Sequence, residues 1–290
     1  MTADSKSLLR LAVVNGWRLF WLISVAMSIV MVVAMTGVDL STGSGVSEMI
    51  GFSVRWAVPF IYIVMAASSV RYLFPNPFTM WWLRNRKIFG LCFAVAMAWQ
   101  GLFIFMMSVW FRDYYYEDVY LLRDELEGST GYIFLVALVL TSFDFGRKRL
   151  STQQWRVLHK TAVYFLWAYP YSVYWWNLSY YGDPQPIDYL FYCSGFLAVA
   201  LRIAAWGKRR QANGVAPPLF KLSGATIIAL GLIWSVASLY LQDQVTAFLT
   251  AAAWSATLEL WLPFWPLEPF LSLFIIGAGT LIATRATVDP

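Results

Sequence analysis

Histidine is almost missing from this chain of 290 residues: there is one, His159. Cysteine occurs twice, and charged side chains make up 13% of the residues, about half the share of a soluble domain. Each shortage excludes something. One imidazole and two thiols do not build a tetrahedral zinc site, and Cys92 and Cys193 both fall in long apolar runs, which argues against a structural disulfide. No stretch matches a glycine-rich nucleotide loop, a nucleophile elbow or a zinc-protease helix. No segment therefore reads as a flavin- or nicotinamide-binding reductase domain, and any electrons are expected from another polypeptide. The apolar runs also lack Asp, Glu, Lys and Arg at their centres, where proton and ion pathways place them. A small-molecule transporter is consequently the least favoured reading.

What the sequence has is apolar length. Sixty per cent of the residues are hydrophobic, and a membrane helix needs about 20 in succession. Eight runs qualify, at 17–36, 52–72, 88–110, 130–146, 157–178, 187–206, 219–240 and 264–284. All are expected to be helices, because lipid offers no partner to an open backbone amide. The fold class is all-α integral membrane, a helical bundle of about eight transmembrane spans. The run at 244–261 has Thr, Ser and Glu spaced through it, and reads as a surface-lying or partly buried stretch.

The charges orient this bundle. All of the 21 basic residues except Arg55, Arg112 and Arg123 fall before the first span, in alternate loops, or after the last. By the positive-inside rule these segments are cytoplasmic, as are both termini. The opposite loops carry acids, above all the segment 111–129, FRDYYYEDVYLLRDELEGS, expected as the largest exposed outer loop. The basic excess thus sets topology and meets lipid headgroups, and nucleic acid is not an expected partner.

Several pieces of the middle spans carry a resemblance: GFSVRWAV opens the second span, SSVRYLF closes it, and RNRKIFGL opens the third. TSFDFGRKRLSTQQWRVLHKTAVY joins the fourth to the fifth. It has a Thr-Ser helix end, a basic loop, a Trp three residues before Leu-His, and a Val-Tyr one turn later. Over roughly residues 15 to 205 these resemble the ferric-reductase-like transmembrane domain superfamily, and within it the haem-binding membrane subunits of bacterial methionine sulfoxide reductase systems. The resemblance implies a cytoplasmic segment at 1–16, a six-helix core at 17–206, two additional spans in 207–290, and an inner-membrane location.

It also implies haem b, held between histidines of the third and fifth spans. His159 matches the first histidine of the fifth span. Thirteen residues on, the second is replaced by Ser172, and the histidine of the third span is replaced by Gln100. Haem iron takes imidazole, thiolate, thioether or phenolate, so an amide and a hydroxyl are poor substitutes. Thirteen helical residues put Ser172 about 20 Å beyond His159, close to the depth of Gln100 at about 18 Å. Gln100 and Ser172 are thus expected at one level, bonded across the helix pair or lining a vacated pocket. His159 is expected as a cap at the cytoplasmic end or as a surviving metal ligand, its level on the third span falling near Arg86 and Lys87.

Aromatics are plentiful: 16 Trp, 16 Tyr and 21 Phe. The clusters at 80–82, 114–116, 174–176 and 261–265 suit interfacial belts. Tyr164, Trp167, Tyr169 and Tyr171 lie beside the altered ligand position, where they would fill a porphyrin's volume or line a slot for a flat ligand such as a quinone. The favoured reading is a haem-deficient relative acting as accessory or partner subunit of a membrane complex, alongside a membrane or periplasmic protein. The alternative is a transmembrane electron carrier using haem b with unusual ligation, or a quinone.

Overall fold

The computed structural model describes residues 9–179, 183–212, 214–249 and 269–285. Every regular element among them is helical, as expected of a chain whose backbone must satisfy itself in lipid. The principal helices are α1 Gly16–Met35, α2 Gly43–Leu73, α3 Pro77–Arg84, α4 Arg86–Trp110, α5 Leu122–Thr141, α6 Thr152–Ser179, α7 Pro186–Gln211, α8 Pro218–Leu249 and α9 Leu271–Ala283. Among the described residues five stretches are long and apolar enough to cross a bilayer: α1, α2, α4, α7 and the Pro218–Leu241 part of α8. Helix α5 falls outside that set because acids occupy its first turn, and α6 because Tyr, Trp and Pro dilute its hydropathy. The protein is an all-α, multi-pass membrane protein that meets lipid along these helices.

The chain divides into two compact units, with the division inside α6 between Trp167 and Ala168. In the first unit α2 and α4 form the main pair, with α1 laid on α4. Val46 and Met49 of α2 meet Phe103 and Met107 of α4 in a fully buried cluster. Beside this cluster Trp99 of α4 donates its indole N–H to Ser28 of α1 at 3.0 Å. Helix α3 is stapled to this framework by its tryptophans: Trp81 donates to the Val14 carbonyl at 2.8 Å and Trp82 to the Ile63 carbonyl at 3.0 Å. Its start is set by a capping box between Asn76 and Thr79, with Pro77 in the first turn.

In the second unit the end of α6 meets α7, α8 and α9 through aromatic rings. Tyr171 stacks on Tyr192 of α7 at 5.4 Å, with Phe270 at 5.8 Å. Tyr192 then donates its hydroxyl to the Ser235 carbonyl of α8 at 2.7 Å. Helices α8 and α9 run antiparallel in close contact. A Cβ on Gly224 would stand 2.5 Å from the Ala283 backbone, and one on Gly279 would stand 2.8 Å from the Gly224 carbonyl. Only glycine permits that approach, as small residues do between membrane helices.

Four sequence expectations are corrected. The outer segment at 111–129 is largely helical: one turn at Arg112–Tyr114, a π-helical turn at Tyr115–Val119, then α5 from Leu122. Asp124 and Glu125 sit in the first turn of α5, where the helix dipole favours acids, so the helix starts eight residues before its apolar run. Helix α8 continues past 240 to Leu249, because 241–249 has no Pro or Gly to stop it. The remainder of the 244–261 run, and the aromatic cluster at 261–265, lie outside the described residues. The aromatics at 174–176 are not simply a belt, since Tyr174 and Trp175 are buried in the second unit.

Candidate functional site

The Thr-Ser helix end, the basic turn and the Trp-x-x-Leu-His stretch of the sequence come together as one structural piece in the first unit. Helix α5 ends at Thr141, and the chain reverses through a single helical turn at Asp144–Arg147. Gly146 makes that reversal possible: a Cβ there would lie 2.2 Å from the Leu140 carbonyl oxygen. Helix α6 then starts from a reciprocal cap. Ser151 Oγ accepts from the Gln154 amide at 3.1 Å, and Gln154 Oε1 accepts from the Ser151 amide at 2.9 Å. The Arg147 guanidinium closes the turn by donating to the Leu150 carbonyl at 2.9 Å and to Thr152 Oγ1 at 3.3 Å.

The antiparallel α5–α6 pair is latched at this end. Trp155 and His159 are one helical turn apart on α6, so their rings share a face and lie 4.2 Å apart. Trp155 donates its indole N–H to the Thr141 carbonyl at 3.1 Å, and His159 Nε2 lies 3.0 Å from Thr141 Oγ1. The Thr141 hydroxyl also lies 2.6 Å from the Ala137 carbonyl. That carbonyl can only accept, so the single hydroxyl proton goes to it and His159 donates from Nε2, leaving the lone pair on Nδ1. Two guanidinium groups, Arg86 and Arg147, act electrostatically on the imidazole. Arg147 also lies 5.2 Å over the Trp155 ring. Arg86 is thus the α4 residue whose charge reaches His159. Next to it, Lys87 sits 5.0 Å over the Phe143 ring, which stacks on Trp17 of α1 at 6.2 Å.

Gln100, farther along α4, also has a partner on α5. Tyr132 donates its hydroxyl to Gln100 Oε1 at 3.0 Å and lies 3.1 Å from the Met97 carbonyl. The same ring covers Gly101, where a Cβ would come within 3.4 Å of the phenol oxygen. Tyr132 was not singled out from the sequence, and Thr141 entered only as part of the Thr-Ser helix end, not as the partner of His159. Their shared signal is a polar side chain on α5 in register with the Gln100 and His159 levels, legible only once the hairpin is known.

Ser172 belongs to the second unit. It is buried and donates its hydroxyl to the Tyr169 carbonyl three residues earlier, at 2.8 Å. Of the four aromatics named around it, Trp167 and Tyr171 are buried, whereas Tyr169 is exposed. Pro170 stands inside α6 between them. Among the described residues no three His, Cys, Asp or Glu side chains gather as a metal site.

No protein-family model matches the chain, and no solved structure matches it. It is similar to the protein-methionine-sulfoxide reductase heme-binding subunit MsrQ of Herminiimonas arsenicoxydans, 29% identical over 171 residues, which cover 56% of this chain and 72% of that protein.

Proposed function

We propose that the protein is an MsrQ-like, ferric-reductase-like inner-membrane subunit that lacks the bis-histidine haem site and serves as a partner of a membrane redox complex. The observation that carries this reading is the bond between His159 and Thr141. The sole imidazole of the chain spends its Nε2 proton on holding two helices together. A pair of axial imidazoles needs two histidines, and the sequence has one. At the other two positions Gln100 is engaged by Tyr132 and Ser172 by the Tyr169 carbonyl. These donors do not fit a haem held by two imidazoles, so no electron-transfer step is derived through one. The polar side chains instead act as ties between or along helices, each worth about 0.6 kcal/mol and at most about 2 kcal/mol.

With redox chemistry housed elsewhere, the surfaces outside the bilayer carry the function. Basic residues concentrate on one set of loops, which by the positive-inside rule supports a cytoplasmic location for both termini. The acidic, tyrosine-rich segment 111–127 then faces a periplasmic or membrane partner. The absorption spectrum of the purified full-length protein tests the reading. A folded protein without a Soret band is the expected result, whereas a stoichiometric Soret band overturns it. The second outcome would favour an electron carrier that binds haem, as the MsrQ relative is named for doing.

A further inference from the structure

The ends of α7, α8 and α9 gather basic and aromatic side chains that the functional reading leaves unused. Arg210, in the last turn of α7, donates from Nε to Thr284 Oγ1 at 3.0 Å, just beyond α9. Its guanidinium lies 5.2 Å from the centre of the Trp206 ring, one turn back. The residue after Thr284, Arg285, places its guanidinium 5.7 Å from the Phe220 ring at the start of α8. Lys221 follows Phe220 and is exposed. The turn from α7 to α8 and the distant end of α9 thus bring two guanidinium groups and an ammonium to one end of the unit. Close contacts fix their spacing, because Gly207 abuts Thr280 and Gly224 abuts Ala283.

Among the described residues no carboxylate answers this charge. Positions 189–242 and 269–288 contain neither Asp nor Glu. Among the described residues no carboxylate pairs with Arg210, Lys221 or Arg285. With Nε held by Thr284, Arg210 keeps its two terminal nitrogens as donors. The positive end of the α8 dipole lies on the same side. Beside the charges, Leu219 and Leu222 of α8 are exposed.

We propose that Arg210, Lys221 and Arg285 bind the phosphodiester headgroup of an anionic phospholipid, whose acyl chains run along Leu219 and Leu222. The fork of a guanidinium matches two phosphate oxygens. Trp206 and Phe220 hold the two forks in place by cation–π contact. A basic pocket between membrane helices at the headgroup level is the setting in which such lipids are recognised. The adjoining aliphatic surface selects a lipid over free phosphate, which has nothing to place there.

Native mass spectrometry of the full-length protein with added diphosphatidylglycerol or phosphatidylcholine tests this. The wild type is expected to retain diphosphatidylglycerol selectively, in the presence of millimolar inorganic phosphate. Arg285→Gln with Lys221→Gln should weaken retention about tenfold, whereas Arg149→Gln with Lys160→Gln, the same charge change in the first unit, should alter it by less than about twofold. Lys221→Gln alone removes only an exposed side chain, and its smaller loss in the same direction guards against misfolding of the double variant. Equal losses from both pairs would reduce the effect to net charge and overturn the proposal. Displacement of the lipid by phosphate, or no selectivity for diphosphatidylglycerol, would overturn it as well.

Discussion

His159 and Thr141, eighteen residues apart in sequence, meet at 3.0 Å where α5 ends and α6 begins. With Trp155 bonded to the Thr141 carbonyl, the threonine joins the two helices through both its main chain and its side chain. A double-mutant cycle of Thr141→Val and His159→Gln, read by thermal unfolding in detergent, should give a coupling of about 0.6 to 1.7 kcal/mol. Strict additivity would mean that the bond does not contribute.

Restoring histidine at the two altered positions tests the family reading. Gln100→His with Ser172→His is expected to take up haem and show a Soret band, and each single variant is expected to show none. A folded double variant that stays colourless would mean that the register drawn from the resemblance is wrong.

The π-helical turn after α4 is tied down by Tyr115, which donates its hydroxyl to the Glu125 carboxylate. Loss of solvation, and next the Glu125 bond and charge, raise the phenol's pKa above its ordinary value. A raised pKa means that the stabilisation is complete below the unfolded value of about 10, and is lost as pH rises from there through the higher folded value. Hydrogen exchange of residues 112–125 should therefore stay protected at pH 8, after correction for intrinsic exchange, and lose protection in strongly alkaline solution. Tyr115→Phe should show the unprotected pattern at both. Equal protection of wild type and variant would remove this role.

Close helix contact between α8 and α9 separates two neighbouring glycines. Gly279 faces Gly224, whereas a Cβ on Gly277 would meet nothing within 4 Å. Gly279→Ala should cost about 1 to 3 kcal/mol by overpacking, and Gly277→Ala should be neutral or slightly stabilising through helix propensity. Unfolding in detergent checks both, and equal effects would contradict the contact.

Several features were readable in advance for simple physical reasons. The apolar runs located the helices because burying a backbone in lipid leaves few alternatives, and the runs at 17–36 and 88–110 match α1 and α4 within two residues. Tyr132, and the pairing of Thr141 with His159, were not legible, because a single polar residue in a span has no meaning until its neighbour across the hairpin is known. The small residues at 277–280 permit close approach between helices. In the structure Gly279 and Thr280 are turned to α8 and α7 within the chain, since sequence shows which residues allow close approach but not what approaches.

The clasp between Gly224 and Gly279 joins two helices of very unequal length. Helix α9 has 13 residues and covers about 20 Å, whereas the apolar Pro218–Leu241 part of α8 has 24 and covers about 36 Å. A hydrocarbon layer is about 30 Å thick, too deep for one helix and too shallow for the other if both stand upright. Bound together, they cannot be matched by any single thickness, so the membrane must pinch beside the short helix or the long one must lean. The protein should therefore feel acyl-chain length directly. Bilayers of long, stiff chains would pull on the contact between the two glycines, and thinner ones would relieve it.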